Sequence, residues 1–97
     1  MKSIVVTAKR WFQRTYGNTY FTASIIVNGE TVANLPFQYG YGDHYMDVAA
    51  DTLERLGMMP GRSHSQNGSA DPLWHWCRKN GIALSYSAAD VSRKKDL

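Results

Sequence analysis

At 97 residues with a net charge of +3, the chain holds one hydrophobic core; two domains are excluded, because each half would bury too little surface. A hydrophobic content of 43% excludes disorder along the whole length, and the positive charge excludes an acidic mimic of nucleic acid. Cys77 stands alone, so no internal disulfide framework exists. No apolar run reaches the roughly 18 residues that span a bilayer, and no cleavage region follows the short apolar start, so a cytoplasmic location is expected.

Ile4 to Trp11 is rich in β-branched residues and predicts a strand whose buried face is open, since Ile4, Val5 and Val6 are consecutive. Thr19 to Val27 predicts a second strand, with Phe21, Ala23, Ile25 and Val27 on one face and Tyr20, Thr22, Ser24 and Ile26 on the other. Thr31 to Tyr39 repeats the alternation, with Ala33, Leu35, Phe37 and Tyr39 together. Asn28-Gly29 marks a hairpin between these runs. A two-residue loop would put the two apolar faces on opposite sides of the sheet. A bulged three-residue loop, Val27 to Gly29, is therefore expected, pairing Ile25 with Thr31, Ala23 with Ala33 and Phe21 with Leu35. Pro36 has no N–H to donate, which pushes its strand toward an edge or a bulge.

Asp43 to Leu56 predicts an amphipathic helix with Asp43 as N-cap and Gly57 as the stop. Its apolar side holds Tyr45, Met46, Val48, Ala49, Thr52, Leu53 and Leu56, and Asp43, Asp47, Asp51 and Glu54 line the other. Gly57 to Ala70 has loop composition and is expected to be flexible. Asp71-Pro72 opens a second helix, Leu73 to Asn80, ended by Gly81, with Ile82 closing the cap against Cys77. Ile82, Leu84, Tyr86 and Ala88 alternate as a last strand, and residues 90–97 form a solvated tail. The fold class is α+β: a small, mainly antiparallel sheet in the order β-β-β-α-α-β, with both helices on one face.

No constellation for chemistry converges. The four carboxylates of the first helix read as a solvated face, with Asp51 and Arg55 spaced as an ion pair, because no second element supplies metal ligands. His75 and Cys77 point about 160° apart on a helix and cannot share an ion. The glycines before the first helix match no phosphate loop, and Asp43 and Asp47 oppose an anion there. No catalytic, cofactor or metal residue is assigned. The segment "KRWFQRTYGNTY" interleaves Lys9, Arg10 and Arg14 with Trp11, Phe12, Tyr16 and Tyr20, the mixture used by single-stranded nucleic acid sites and protein hot spots. Tyr39 and Tyr45 are expected to be structural, whereas Tyr16 and Tyr20 are contact candidates, so Tyr20→Ser should cost little stability. Trp74 is placed in the core and Trp76 on the flank, covering the sheet edge or anchoring a partner. The partner-binding candidates are Lys9, Arg10, Arg14, Tyr16, Tyr20 and Trp76.

The segments "WFQRTYGNTYFTASIIVNG" and "PFQYGYGDHYMDVAADTLERLG" resemble a type of small protein found in phage and prophage genomes, over Lys9 to Gly57. The resemblance implies a mobile-element origin, and with it either inhibition of a host defence complex in the manner of anti-CRISPR proteins or an accessory nucleic-acid-binding role. It carries no catalytic residue. The expectation is a non-enzymatic inhibitor that occupies the surface of a host defence protein or ribonucleoprotein complex. The alternative is a direct nucleic-acid binder using the basic-aromatic segment. No membrane partner is expected, and a homodimer through a sheet edge or the Trp76 flank is considered.

Overall fold

A computed structural model describes residues 1–66 and 68–97. Four strands, β1 (Ser3–Gln13), β2 (Asn18–Val27), β3 (Glu30–Tyr39) and β4 (Ala83–Val91), form one sheet in the order β3-β2-β1-β4. β1 pairs antiparallel with β2, β2 antiparallel with β3, and β4 lies parallel to β1 at the far edge. Helices α1 (His44–Arg55) and α2 (Leu73–Lys79) connect β3 to β4 across one face. The molecule measures 41 × 34 × 19 Å; its thinnest dimension matches one helical layer on one sheet, at about 10 Å per layer. The second face of the sheet therefore has no helical cover.

The hairpin uses a different device from the bulged three-residue loop expected of it. Val27 pairs with Glu30, so the loop is the two-residue Asn28-Gly29, with φ of 52° and 83° as a type I′ turn requires. Parity is restored inside the ladder: Ile26 faces Thr31 and Ile25 faces Ala33, leaving Val32 as an extra residue. Ala23 then faces Leu35, and both are buried. A second bulge follows, because Phe21 pairs with Gln38 and Thr22 is left opposite Pro36 and Phe37. Pro36 supplies the reason: it cannot donate to the ladder, and the strand bulges where it stands. The consequence overturns two expected positions. Phe37 and Tyr39 share the face of Tyr20, outside the core, and are 42% and 57% exposed.

Beneath the helices, Ile4, Val6 and Ala8 of β1 and Phe21, Ala23, Ile25 and Val27 of β2 meet Tyr45, Ala49, Ala50 and Leu53 of α1 and Leu73, Trp76 and Cys77 of α2. Met59, from the loop between the helices, completes this core. Thr52 is buried too, and its hydroxyl donates to the Val48 carbonyl at 2.8 Å. Leu56, expected inside, is half-exposed at the end of α1. Both helices stop in Schellman motifs: Met58 N–H bonds the Leu53 carbonyl at 2.8 Å, and Ile82 N–H bonds that of Cys77 at 2.9 Å. Left-handed Gly57 and Gly81 permit these turns.

The two tryptophans of α2 exchange the places expected of them. Trp76 is 2% exposed, and its indole N–H donates to the Pro60 carbonyl at 3.0 Å. Trp74 is 56% exposed. Leu73, Trp76 and Cys77 are spaced i, i+3, i+4 and make one stripe, and the loop above it satisfies the indole's polar end. Trp76 is thus unavailable as a surface anchor. Trp76→Ala should cost about 3–5 kcal/mol of stability and Trp74→Ala less than about 1 kcal/mol, read by urea denaturation.

Candidate functional site

The uncovered face of the sheet collects side chains from all four strands. Trp11, Tyr20 and Tyr39 stand in register on β1, β2 and β3, and the second bulge adds Phe37. Tyr20 stacks on Phe37 at 4.9 Å with 14° between planes and on Trp11 at 5.9 Å with 29° between planes, while Tyr39 meets it edge-on. Both faces of the Tyr20 ring are therefore used within the protein. The row is first a cross-strand packing element, and the exposed aromatic surface lies on Phe37 and Tyr39.

Beside the row, Thr7, Lys9, Thr22, Ser24, Asn34 and Ser87 form a polar groove of about 550 Å³. Ser24 donates its hydroxyl to the Asn34 amide oxygen at 2.8 Å. The tail, expected to be solvated, folds back over this face. Asp90 and Val91 belong to β4, Lys94 to Asp96 make a 3-10 turn, and Leu97 closes one side of the groove. The Lys94 ammonium sits 4.8 Å from the centre of the Phe37 ring, a cation–π contact. Arg93 pairs with Asp96 at 3.1 Å.

Charge divides between the two sides of the sheet. Of the eight carboxylates, Asp96 alone lies on the uncovered side. Glu30 pairs with buried Val27, Asp90 pairs with Arg10 on the helix side, and the others stand on α1, on the loop before it or just before α2. Lys9 and Lys94 face the groove and the aromatic row with no acidic neighbour from any strand.

The partner-binding candidates do not assemble into one surface. Lys9 and Tyr20 lie on the uncovered face, and Arg14 and Tyr16 are exposed in the turn between β1 and β2, at the end of the sheet that carries the aromatic row. Arg10 points to the helix side instead. Its guanidinium donates to Asp90 at 3.0 Å and to the Gly42 carbonyl at 2.9 Å, tying the ends of β1 and β4 to the approach of α1. Trp76 is in the core. The sequence reading missed Phe37 and Tyr39 as surface residues and the tail as part of the face; the signal for the first was Pro36.

Elsewhere, ionic groups hold the loop between the helices in place. Arg62 has a nearly buried side chain and donates to Asp51 at 2.9 Å, Glu54 at 3.0 Å and the Asp71 carbonyl at 2.9 Å. Asp51 thus pairs with Arg62 where Arg55 was expected. His64 also reaches Glu54, at 2.7 Å, and this hydrogen bond, with those of Arg62, lowers the carboxyl's pKa. Asp71, expected to cap α2, instead accepts from Lys79 at 3.1 Å, His75 at 3.2 Å and the Ser63 N–H at 3.3 Å. These bonds, that of Lys79 first, hold its pKa at about 2. Burial raises the pKa of the Cys77 thiol, opposite to what a nucleophile needs. Among the described residues no group of three or more His, Cys, Asp or Glu side chains is placed to hold a metal ion, and no helix is long and apolar enough to cross a membrane.

Tyr20→Ser removes the ring that joins Trp11 to Phe37. In contrast to the small effect read from sequence, it should lower stability by about 2 kcal/mol in urea denaturation, while Tyr16→Ser, at the exposed turn, should change it by less than about 0.5 kcal/mol.

Compared with protein-family models, with curated proteins and with solved structures, the chain matches none, and its functional reading rests on this geometry.

Proposed function

We propose that this is a non-enzymatic binding protein whose uncovered sheet face takes a single-stranded nucleic acid. The observation that carries the reading is the division of charge: the strand side chains of this face include no carboxylate, while Lys9 and Lys94 adjoin it. A polyanion brought to the opposite side would meet Asp43, Asp47 and Asp51. On the sheet face, Lys9 and Lys94 neutralise phosphates, and the hydroxyl and amide groups of Thr7, Thr22, Ser24 and Asn34 offer further hydrogen bonds. Bases stack on the exposed ring of Tyr39, and Phe37, held between Tyr20 and the Lys94 ammonium, borders the stack with its open edge; stacking tolerates any sequence because every base has a π-face. Arg14 and Tyr16 extend the surface beyond the turn. A flat sheet suits a splayed single strand better than a duplex, whose bases are already stacked.

The inhibitor of a host defence complex, expected from the resemblance, requires a surface complementary to a protein partner and has no comparable observation in its favour here. It becomes the reading if the oligonucleotide experiment fails and a host complex is captured by the parent but not by a Phe37→Ala/Tyr39→Ala variant.

The test is fluorescence anisotropy with labelled oligo-U and oligo-dT of about 12 nucleotides, long enough for a face of this size. The parent should bind both, with affinity falling as salt rises. Lys9→Ala with Lys94→Ala should weaken binding and reduce the log–log salt slope by about 1–2. Phe37→Ala with Tyr39→Ala should weaken binding with little change of slope. No binding at about 50 mM salt, or a slope unchanged in the lysine variant, contradicts the proposal.

A further inference from the structure

A second cavity lies on the helix side, where α1 begins, α2 begins and β4 passes. It holds about 730 Å³ and is walled by Tyr41, Trp74 and Tyr86, with Asp43, His44 and Asp47 along the α1 edge. All three aromatic side chains are more than half exposed. Three exposed rings thus gather around one cavity, a contiguous apolar patch of the kind that marks interaction sites. Among the described residues no lysine or arginine lines it. Arg10 reaches the neighbouring loop, but its guanidinium is engaged by Asp90 and the Gly42 carbonyl.

The acidic edge is free to act. Asp43 occupies the N-cap position of α1, yet its side chain makes no capping hydrogen bond; the Met46 N–H bonds the Asp43 backbone carbonyl instead, at 2.9 Å. Among the described residues Asp47 has one ion-pair partner, His44, with Nδ1 3.8 Å from the carboxylate. The other two acids of the helix are already held by Arg62. The groove thus combines ring faces, which attract cations through their quadrupoles, with two carboxylates not neutralised within the protein.

From this combination we infer that the groove formed by Tyr41, Trp74, Tyr86, Asp43 and Asp47 binds a basic, extended segment of a partner protein, with a lysine or arginine side chain seated among the rings. The ring faces take the cation and its aliphatic stem, and Asp43 and Asp47 pair with the charge at the rim. Shape and charge both disfavour an anionic occupant. The site opens on the helix side and adjoins the proposed nucleic-acid face at Tyr39, which borders both, so the protein has one surface for a polyanion and another for a polycation.

The test is binding of a fluorescein-labelled peptide of alternating glycine and arginine, followed by anisotropy, with glutamate replacing arginine in a control peptide. The parent should bind the arginine peptide saturably and the glutamate peptide not at all. Trp74→Ala leaves the charge unchanged and removes an exposed ring, so it should weaken binding about fivefold without altering the melting temperature. Asp47→Asn should weaken it about threefold, whereas Glu30→Gln, the same change of charge at the distant hairpin, should have no effect. Equal losses for Asp47→Asn and Glu30→Gln with none for Trp74→Ala would reduce the binding to general charge attraction and overturn the site. A parent that sediments as a dimer, and that Trp74→Ala returns to monomer, would show the occupant to be a second copy of the chain and overturn the partner assignment.

Discussion

One missing N–H organises the outer half of this protein. Pro36 cannot complete the ladder with β2, so β3 bulges opposite Thr22, and every side chain beyond that point changes face. Phe37 and Tyr39 thereby leave the core side and join Tyr20 and Trp11 on the side without helices. Without the bulge Phe37 would compete with α1 for space beside Phe21, and the uncovered face would lose half its aromatic row. The same strand carries a compensating bulge at Val32, which lets a tight Asn28-Gly29 turn coexist with Ala33 and Leu35 facing inward. β3 is thus core-facing in its middle and outward-facing at its end.

That division supports the rest of the architecture. The helix side receives the apolar halves of β1 and β2 and most of the acidic groups. Arg62 holds the loop between the helices against α1 and keeps Met59 and Trp76 covered, since breaking a nearly buried guanidinium from its carboxylates is costly. The other side carries hydroxyls, amides, lysines and rings, and the tail lies along it with Lys94 on Phe37. Surfaces of opposite character lie on a molecule only 19 Å thick, and both proposed sites follow from that arrangement.

The element order was legible because each element carries a strong local signal: alternation in β2 and β3, the Asn-Gly turn, and glycine stops after two periodic helices. The inward set of β2 was legible for the same reason. What local pattern could not convey was register. Parity at the hairpin can be restored in the loop or within the ladder, and nothing near Asn28 distinguishes the two. Pro36 did announce a bulge, and following the alternation past it would have moved Phe37 and Tyr39 outward. In α2 the spacing of Leu73, Trp76 and Cys77 already favoured Trp76 for the core. The carbonyl that receives its indole N–H comes from Pro60, sixteen residues away, and no local pattern reveals it. Arg10 was misplaced by one pleat: with Ile4, Val5 and Val6 consecutive, the inward face of β1 could not be assigned, and Arg10 shares the face of Ile4 and Val6.

The measurement closest to the central claim is a nuclear Overhauser spectrum of the isolated protein, read at the ring protons of Phe37. A bulged β3 predicts cross-peaks from Phe37 to the Tyr20 ring and to the Lys94 side chain, with none to the methyl groups of Ala49 or Leu53. Cross-peaks from Phe37 to Ala49 and Leu53, with Tyr20 seeing neither Phe37 nor Tyr39, would contradict it and remove the aromatic face together with the function proposed for it.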